Sequence, residues 1–371
     1  MSILKRQSNS ILTSTNEENM YPMRKFRGNT SSILITIFLL AVIITIPAIM
    51  TTTIANRVYG QQPDRMDLNI TDSSVNIQNT SGEKIVQVGD IDIAYKMSGN
   101  GEPVLLVSGG SADKNAWDPS FISDLSSNHT VIVFDNRGVG NTTIGSQPYT
   151  IEQLANDTAG LLDALEIQSA NVLGYSLGSL IAQQLTITYP EKVSRLILVG
   201  ANCGGADIIP KPPEFLALQA EIVDKISNNV SISEEENIAL INASLGAGWL
   251  RLHPESIENV PEGQDFFATI SPEAQEGQAN IGLRWEATNW NGVCDELAKV
   301  AKPTLVITGT DDNAYVPHEN SLVIAGKVPG AWLVQIENAG HAVMDQYPDE
   351  IGKILQTFLS TTNATTTAQP E

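Results

Sequence analysis

The chain has 371 residues, 42% of them hydrophobic, which is enough for one sizeable α/β domain carrying an insertion. Its 42 acidic residues outnumber 21 basic ones and give a formal net charge of -21. This acidity argues against nucleic acids and anionic membrane surfaces as partners of the folded domain, and we expect no nucleic acid partner.

A hydrophobic segment near the N-terminus predicts where the protein works. Residues 1–32 carry five basic side chains, and residues 33–54 contain a nearly uncharged apolar run. The positive-inside rule places 1–32 in the cytoplasm and the domain that follows outside it. A retained membrane anchor and a cleaved signal segment both fit, because the apolar run only just spans a bilayer. Residues 55–83 are polar and predict a linker.

Asn-x-Ser/Thr sequons recur along the chain and predict a glycoprotein if the host glycosylates exported proteins. They begin at Asn69, Asn79, Asn128, Asn141, Asn156, Asn229, Asn242 and Asn363. Their density suits an extracytoplasmic protein, whether it is anchored in the membrane or secreted.

Residues 84–359 alternate between strand-like and helix-like segments, which predicts a mostly parallel sheet covered on both faces. A helix is predicted at 151–165 from apolar residues at three-to-four spacing. Ligands of such folds bind beyond the carboxyl ends of the strands. The predicted strands are a hairpin at 85–88 and 91–95, followed by 104–107, 130–134, 170–173, 193–199, 303–308 and 332–336.

The segment Gly174-Tyr175-Ser176-Leu177-Gly178 joins a predicted strand to a predicted helix. A serine at such a sharp turn has its hydroxyl exposed, and flanking glycines leave room where strand and helix nearly collide. Ser176 is therefore a candidate nucleophile.

A nucleophilic serine needs a base and a carboxylate that orients the base. His341 follows the strand-like run 332–336 and lies in a glycine-containing loop, which makes it the best placed of four histidines. Asp311 and Asp312 follow the strand-like run 303–308, and either is a candidate for the acid.

The interval between the strands at 193–199 and 303–308 is far longer than one crossover helix requires. It predicts an inserted helical cap at about 204–292, with helical periods at 215–226 and 234–245.

Two cysteines, Cys203 and Cys294, lie at the start and the end of this interval. They form either a disulfide in an oxidising compartment or two buried free thiols. No residue spacing suggests a metal or haem site, so we expect no cofactor. Residues 360–371 are rich in threonine and predict a disordered tail.

Over about 85–359 the chain resembles the α/β-hydrolase superfamily, whose nucleophile, acid and histidine occur in the chain order found here. Two further segments are similar to that family: the run Leu105-Leu106-Val107-Ser108-Gly109-Gly110, and Asp135-Asn136-Arg137-Gly138-Val139-Gly140. We expect Asp135 and Arg137 to form a structural ion pair or turn brace rather than to act as catalytic groups.

The resemblance also implies roles for single residues. The family's acid commonly lies three residues after the glycine that closes its strand, which selects Asp312 over Asp311 as the partner of His341 and Ser176. The family's oxyanion hole implies backbone N–H donors at Leu177 and at Gly110. Gly110 ends the sequence Ser-Gly-Gly, which stands where the family usually has His-Gly-x.

The activity implied is cofactor-free hydrolysis of a small-molecule carboxylic ester or lactone through an acyl-enzyme intermediate. Relatives with the same triad also carry out perhydrolase or haloperoxidase-like reactions and carbon–carbon bond hydrolysis. A non-catalytic extracytoplasmic binding protein on the same fold is the alternative from another class. The sequence makes no prediction of oligomeric state.

Overall fold

A computed structural model describes residues 82–228, 230–255 and 270–361 of the chain. The predicted segments 1–32 and 33–54, nearly all of the linker 55–83 and residues 362–371 lie outside this part. Within the three described ranges, no helix is long and apolar enough to cross a membrane.

An eight-stranded sheet forms the centre of the described domain. The order across the sheet is β1-β2-β4-β3-β5-β6-β7-β8; β2 pairs antiparallel with β1 and β4, and the other neighbours are parallel. The predicted mostly parallel sheet is therefore confirmed. The strands are β1 (Lys84–Val88), β2 (Ile91–Ser98), β3 (Glu102–Val107), β4 (His129–Phe134), β5 (Ala170–Tyr175), β6 (Val193–Val199), β7 (Thr304–Gly309) and β8 (Trp332–Ile336).

Helices cover both faces of the sheet, which explains why the central strands are almost continuous apolar runs. In β3, Leu105 and Val107 pack into a core on one face, while Leu106 packs with Phe121 and Phe358 on the other. The helices are α1 (Pro119–Ser126), α2 (Ile151–Ala164), α3 (Leu177–Thr188), α4 (Pro213–Ser227), α5 (Glu234–Leu245), α6 (Ala247–Leu252), α7 (Pro272–Trp285), α8 (Cys294–Leu297), α9 (Glu319–Lys327), α10 (Val343–Gln346) and α11 (Pro348–Ser360).

Contacts near both ends of the described domain tie its first and last residues to the rest. Glu83 pairs with buried Lys114, so the domain begins no later than this residue. At the other end, α11 includes Ser360, and Arg195 donates a hydrogen bond to the Thr361 carbonyl at 2.8 Å. The structured domain thus includes the first two residues of the segment predicted as a tail.

Helices α4 to α8 lie between β6 and β7, in the interval predicted to form a cap, and we call residues 200–303 the β6–β7 insertion. Helices α4 and α5 match the two helical periods predicted there. Cys203 and Cys294 form a disulfide, are both buried, and have Cα atoms 5.2 Å apart. The disulfide joins the beginning of the insertion to its last helix.

Buried ion pairs brace the loops at the carboxyl ends of β3 and β4. Arg137 binds Asp157 with N–O distances of 2.7 Å and also binds Asp90. Asp135 binds the Lys114 ammonium at 2.7 Å. Asp135 and Arg137 therefore have the structural role expected for them.

Four of the predicted sequon asparagines fall within the described residues. Asn128, Asn141 and Asn156 have exposed side chains, whereas Oδ1 of Asn242 is buried with no hydrogen-bond partner. The remaining sites, Asn69, Asn79, Asn229 and Asn363, lie outside the described ranges. Asn128, Asn141 and Asn156 are thus accessible to modifying enzymes on the folded domain.

Candidate active site

Ser176 lies at the sharp turn between β5 and α3, with φ of 54° and ψ of -119°. This left-handed region is costly for a residue with a side chain, and such conformations concentrate at functional sites. The turn is tight, because a Cβ on Gly174 would clash with the Gly178 carbonyl, and one on Gly178 with the Val107 carbonyl. The Ser176 N–H donates to the Val199 carbonyl at 2.9 Å, which ties the turn to β6.

Three of the predicted site residues form one hydrogen-bonded chain. Nδ1 of His341 lies 2.6 Å from Oδ2 of Asp312, and Nε2 lies 2.9 Å from Oγ of Ser176. An ionised carboxylate only accepts, so Nδ1 carries the imidazole proton and Nε2 accepts from the serine hydroxyl. Asp312 is 1% exposed and His341 5%, so water screens their interaction weakly.

The two adjacent aspartates face different parts of the molecule. Asp312 binds His341 through Oδ2 and accepts from the Val316 N–H through Oδ1 at 3.0 Å. Asp311 instead accepts from the Gly248 N–H of the insertion through Oδ2. The structure therefore places Asp312, and not Asp311, against His341.

Two tyrosines stack on the His341 ring, an arrangement that no sequence pattern predicts. Tyr175 stacks on it at 5.4 Å between centroids and donates its hydroxyl to the His341 carbonyl at 3.0 Å. Tyr315 stacks at 5.1 Å with an interplanar angle of 13°. Burial, with the charge of Asp312, raises the pKa of Tyr315 to about 12, so this ring is neutral near pH 7. Tyr175 occupies the variable position of the Gly-x-Ser-x-Gly motif, which carries no signal for such a contact.

The β6–β7 insertion supports the loop that holds His341. The Ala342 N–H donates to the Ser244 carbonyl at 3.0 Å. Gln346 accepts from the Gly340 N–H at 2.9 Å and donates to the Leu245 carbonyl at 2.7 Å. The C-terminal end of α5 is therefore bonded to both sides of His341.

The predicted oxyanion segment 108–110, which together with Ser111 we call the oxyanion loop, also lies beside Ser176. A Cβ on Gly109 would lie 3.3 Å from the Ser176 Cβ, so the loop passes directly over the serine. Leu177, the other predicted donor, is the first residue of α3 and follows Ser176. The position of a Cβ on Gly110 lies 3.4 Å from Oε1 of Gln278, a residue of the insertion that no motif identifies.

This arrangement supplies the groups that nucleophilic acyl transfer requires. A buried imidazole is placed to take the Ser176 proton, and Asp312 is placed to stabilise the imidazolium that forms. The oxyanion loop and the N-terminus of α3 both lie next to the serine, and backbone amides at such positions can stabilise an oxyanion.

Known proteins with similar sequences and structures have the same fold. Residues 102–348 match the family model described as alpha/beta hydrolase fold. The poly(3-hydroxyalkanoate) depolymerase of Ectopseudomonas oleovorans is 29% identical over 260 residues, covering 69% of this chain and 84% of the relative. A putative non-heme bromoperoxidase of Mycobacterium tuberculosis is 25% identical, covering 74% of this chain and all of the relative. The solved structure of a thermophilic esterase from Thermogutta terrifontis matches with a TM-score of 0.58 at 25% identity, covering 74% of this chain and 98% of the esterase.

Proposed function

This chain belongs to the alpha/beta hydrolase fold family, and we propose that it cleaves a carboxylic ester or lactone through an acyl-enzyme intermediate on Ser176. The observation that carries the proposal is the hydrogen-bonded chain from Ser176 through His341 to Asp312. It lies at the turn where the strained serine backbone exposes the hydroxyl.

In the proposed reaction, Ser176 Oγ attacks the carbonyl carbon while Nε2 of His341 takes the hydroxyl proton. The imidazolium then gives this proton to the leaving alcohol as the ester bond breaks. Water enters, loses a proton to Nε2 and attacks the acyl-enzyme, and the proton returns to Ser176 as the acid leaves. Asp312 keeps His341 in the required tautomer throughout.

The N–H groups of Leu177 and Gly110 are the proposed oxyanion donors. Each such donor supplies about 3 to 4 kcal/mol when it is aimed at the developing negative charge. The approach of Gly109 to Ser176 supports this role, because it leaves the following amide close to the reacting carbon.

Membership of the family establishes that the chain is a hydrolase, and the names of its relatives support esters as the substrate class. Two of the three relatives reported above are named as a depolymerase and an esterase. A lactone is a cyclic ester and meets the same nucleophile, so it belongs to the same proposal. We propose further that the β6–β7 insertion covers the serine and selects the small-molecule substrate.

Covalent labelling with a fluorophosphonate probe tests the proposal on the full-length chain. The wild type should be labelled, and Ser176→Ala and His341→Ala should not, because the probe reacts only with an activated serine. His129→Ala is a matched control. His129 is the first residue of β4, its side chain contacts the Leu125 carbonyl of α1, and the variant should label normally. Hydrolysis of an activated short-chain ester should follow the same pattern.

A folded wild type that neither labels nor hydrolyses esters would contradict the proposal and favour the non-catalytic binding protein.

The bromoperoxidase-named relative supports a second candidate, cofactor-free perhydrolysis on the same triad. In that case hydrogen peroxide replaces water in attacking the acyl-enzyme, and a peroxyacid is released. Peroxyacid formed from a carboxylic acid and hydrogen peroxide, lost in Ser176→Ala, identifies this activity.

We also propose that the domain works outside the cytoplasm, either anchored through residues 33–54 or released after cleavage. The disulfide between Cys203 and Cys294 supports this location, because disulfides persist in oxidising compartments. Digestion of the domain by protease added to intact cells tests the location for an anchored protein. N-terminal sequencing of the mature protein decides between anchor and cleavage.

A further inference from the structure

Gln278, on helix α7 of the insertion, bonds directly to the predicted oxyanion loop. Its side-chain Oε1 accepts from the Ser111 N–H at 2.8 Å, across 167 positions of sequence. Gly110, the proposed oxyanion donor, immediately precedes Ser111. The side chain of a distant helix therefore fixes the peptide unit that joins these two residues.

Helix α7 is held firmly where this contact is made. The Ser271 N–H donates to the Gly138 carbonyl at 2.8 Å, and Ala274 is fully buried against Gly138. One turn further along, the Tyr149 ring lies directly on the backbone at Gly277, where any Cβ would clash with it. Gln278 therefore projects from a docked part of the helix.

The Gln278 amide is also fixed at its other end. Its Nε2 donates to the Tyr149 hydroxyl at 3.2 Å, and that hydroxyl donates to the Arg137 carbonyl at 3.1 Å. Since the Tyr149 proton is used on Arg137, the hydroxyl accepts from Nε2, and Oε1 must face Ser111. Asp90 and Asp157 hold Arg137 in turn, so the chain of bonds ends in a buried ion cluster.

The backbone of the oxyanion loop is unusual at three successive residues. Gly109 and Gly110 have no Cβ, so their backbones have unusual conformational freedom. Ser111 has φ of 60°, a conformation that a residue with a side chain rarely adopts. The bond from Gln278 stabilises this conformation and removes alternatives that glycine would allow.

We propose that Gln278 is a positioning residue that sets the orientation of the oxyanion loop. It couples the β6–β7 insertion to the stabilisation of negative charge in the reaction. The proposal rests on the proposed function, because it assigns a purpose to the loop only if the loop binds an oxyanion. Gln278 acts through Ser111 and Gly110 and need not touch substrate.

Steady-state kinetics of Gln278→Met test this role with a side chain of similar length that has no amide. We expect kcat for an activated ester to fall about tenfold, less than the loss expected for deleting a donor outright, while KM changes less than about twofold. Affinity for a trifluoromethyl ketone, which forms an oxyanion on the serine, should weaken about tenfold. Binding of a neutral non-reacting substrate analogue should stay the same.

Gln275→Met is the matched control on the same helix. The Gln275 Nε2 has no hydrogen-bond partner among the described residues, so this change removes no bond and should leave kcat unchanged. Tyr149→Phe is the second variant, because it keeps the ring against Gly277 and deletes only the hydroxyl that orients Gln278. It should lower kcat and ketone affinity about twofold to threefold, and it decides the question if Gln278→Met does not fold.

The outcomes separate this inference from the proposed function. If the wild type is active and Gln278→Met keeps its kcat and its affinity for the ketone, the positioning role is overturned and the proposed serine hydrolase stands. Unchanged values in Tyr149→Phe lead to the same conclusion when Tyr149→Phe is the only one of the two variants that folds. Equal losses in Gln275→Met and Gln278→Met would also overturn it, by showing that the helix acts only through stability. Wild type without labelling or hydrolysis would refute the proposed function first.

Discussion

The loops of the sheet and the β6–β7 insertion contribute to the site in different ways. Ser176, Asp312 and His341 lie on the loops that follow β5, β7 and β8, three parallel strands separated only by β6. Paired backbones fix the spacing of these strands, for example at Tyr175 opposite Val199 and at Gly309 opposite Ile336. The distances between the reacting groups are therefore set by sheet register.

The insertion supplies contacts that restrain these loops. Its Ser244 carbonyl binds the loop of His341, its Gly248 N–H binds Asp311, and its Gln278 side chain binds the oxyanion loop. Phe215 packs edge-on against Tyr315, with ring centroids 4.8 Å apart. The proposed chemistry therefore resides in the sheet loops, while the insertion restrains those loops through hydrogen bonds and ring packing.

Asp312→Asn against Asp311→Asn is the sharpest test of this division, because the two residues are adjacent and face the two regions. We expect Asp312→Asn to lower kcat by about 10³- to 10⁴-fold. The asparagine amide would donate to Nδ1, so Nε2 would carry the proton and could not accept from Ser176. Initial rates on an activated ester measure the effect.

Asp311→Asn should keep kcat within about threefold, because its amide oxygen still accepts from the Gly248 N–H. Equal losses in the two variants would remove the distinction between the regions. A large loss of kcat confined to Asp311→Asn would show that Asp311, and not Asp312, is the acid that orients His341.

The sheet was largely predictable from sequence for a physical reason. Its central strands are buried on both faces, so 193–199 and 303–308 appear as continuous apolar runs with turn residues after them. The nucleophile turn was also recognisable, because glycines flank the serine on both sides and Gly174 is required by a contact with the nearby Gly178 carbonyl. Local constraints leave local patterns.

The rest of the site depends on contacts that leave no pattern in sequence. Tyr315 reaches His341, and Gln278 reaches Ser111, only after the chain has folded. Spacing alone could not choose between Asp311 and Asp312, since both follow the same strand, and only the family resemblance favoured Asp312. In the structure they are distinguished by their partners, because Asp311 binds the Gly248 N–H and Asp312 binds His341. Sequence thus located the loops but not what holds them.

Removing the disulfide tests how strongly the insertion depends on its attachment to the sheet. Cys203 and Cys294 are separated by 91 positions, and loss of a native disulfide typically costs about 2 to 5 kcal/mol. The Cys203→Ala and Cys294→Ala double variant should lose free energy of unfolding in this range, measured by chemical denaturation. We expect kcat to change less than stability at temperatures where the protein remains folded. Unchanged stability would show that the insertion is held by its packing alone.

The smallest expected effect concerns a bond within the insertion. Glu236 near the start of α5 pairs with Lys225 of α4 and accepts from the Ser233 N–H at 2.7 Å. These two contacts lower the pKa of Glu236 from its ordinary 4.5 to about 2. The pair joins two helices of the insertion.

The pKa of Glu236 is lower in the folded protein than in the unfolded chain. Its contribution to the free energy of unfolding is therefore fully present above pH 4.5 and is lost as pH falls toward 2. Glu236→Gln should therefore lower Tm by a few degrees at most at pH 7, and the difference from wild type should shrink between pH 5 and pH 3. Glu235→Gln is the matched control, since Glu235 is the exposed neighbour on the same helical turn. A fall in kcat at pH 7 that accompanies this small loss of stability would show that restraint within the insertion reaches the triad. Unchanged kcat would confine that restraint to the contacts that the insertion makes directly with the loops.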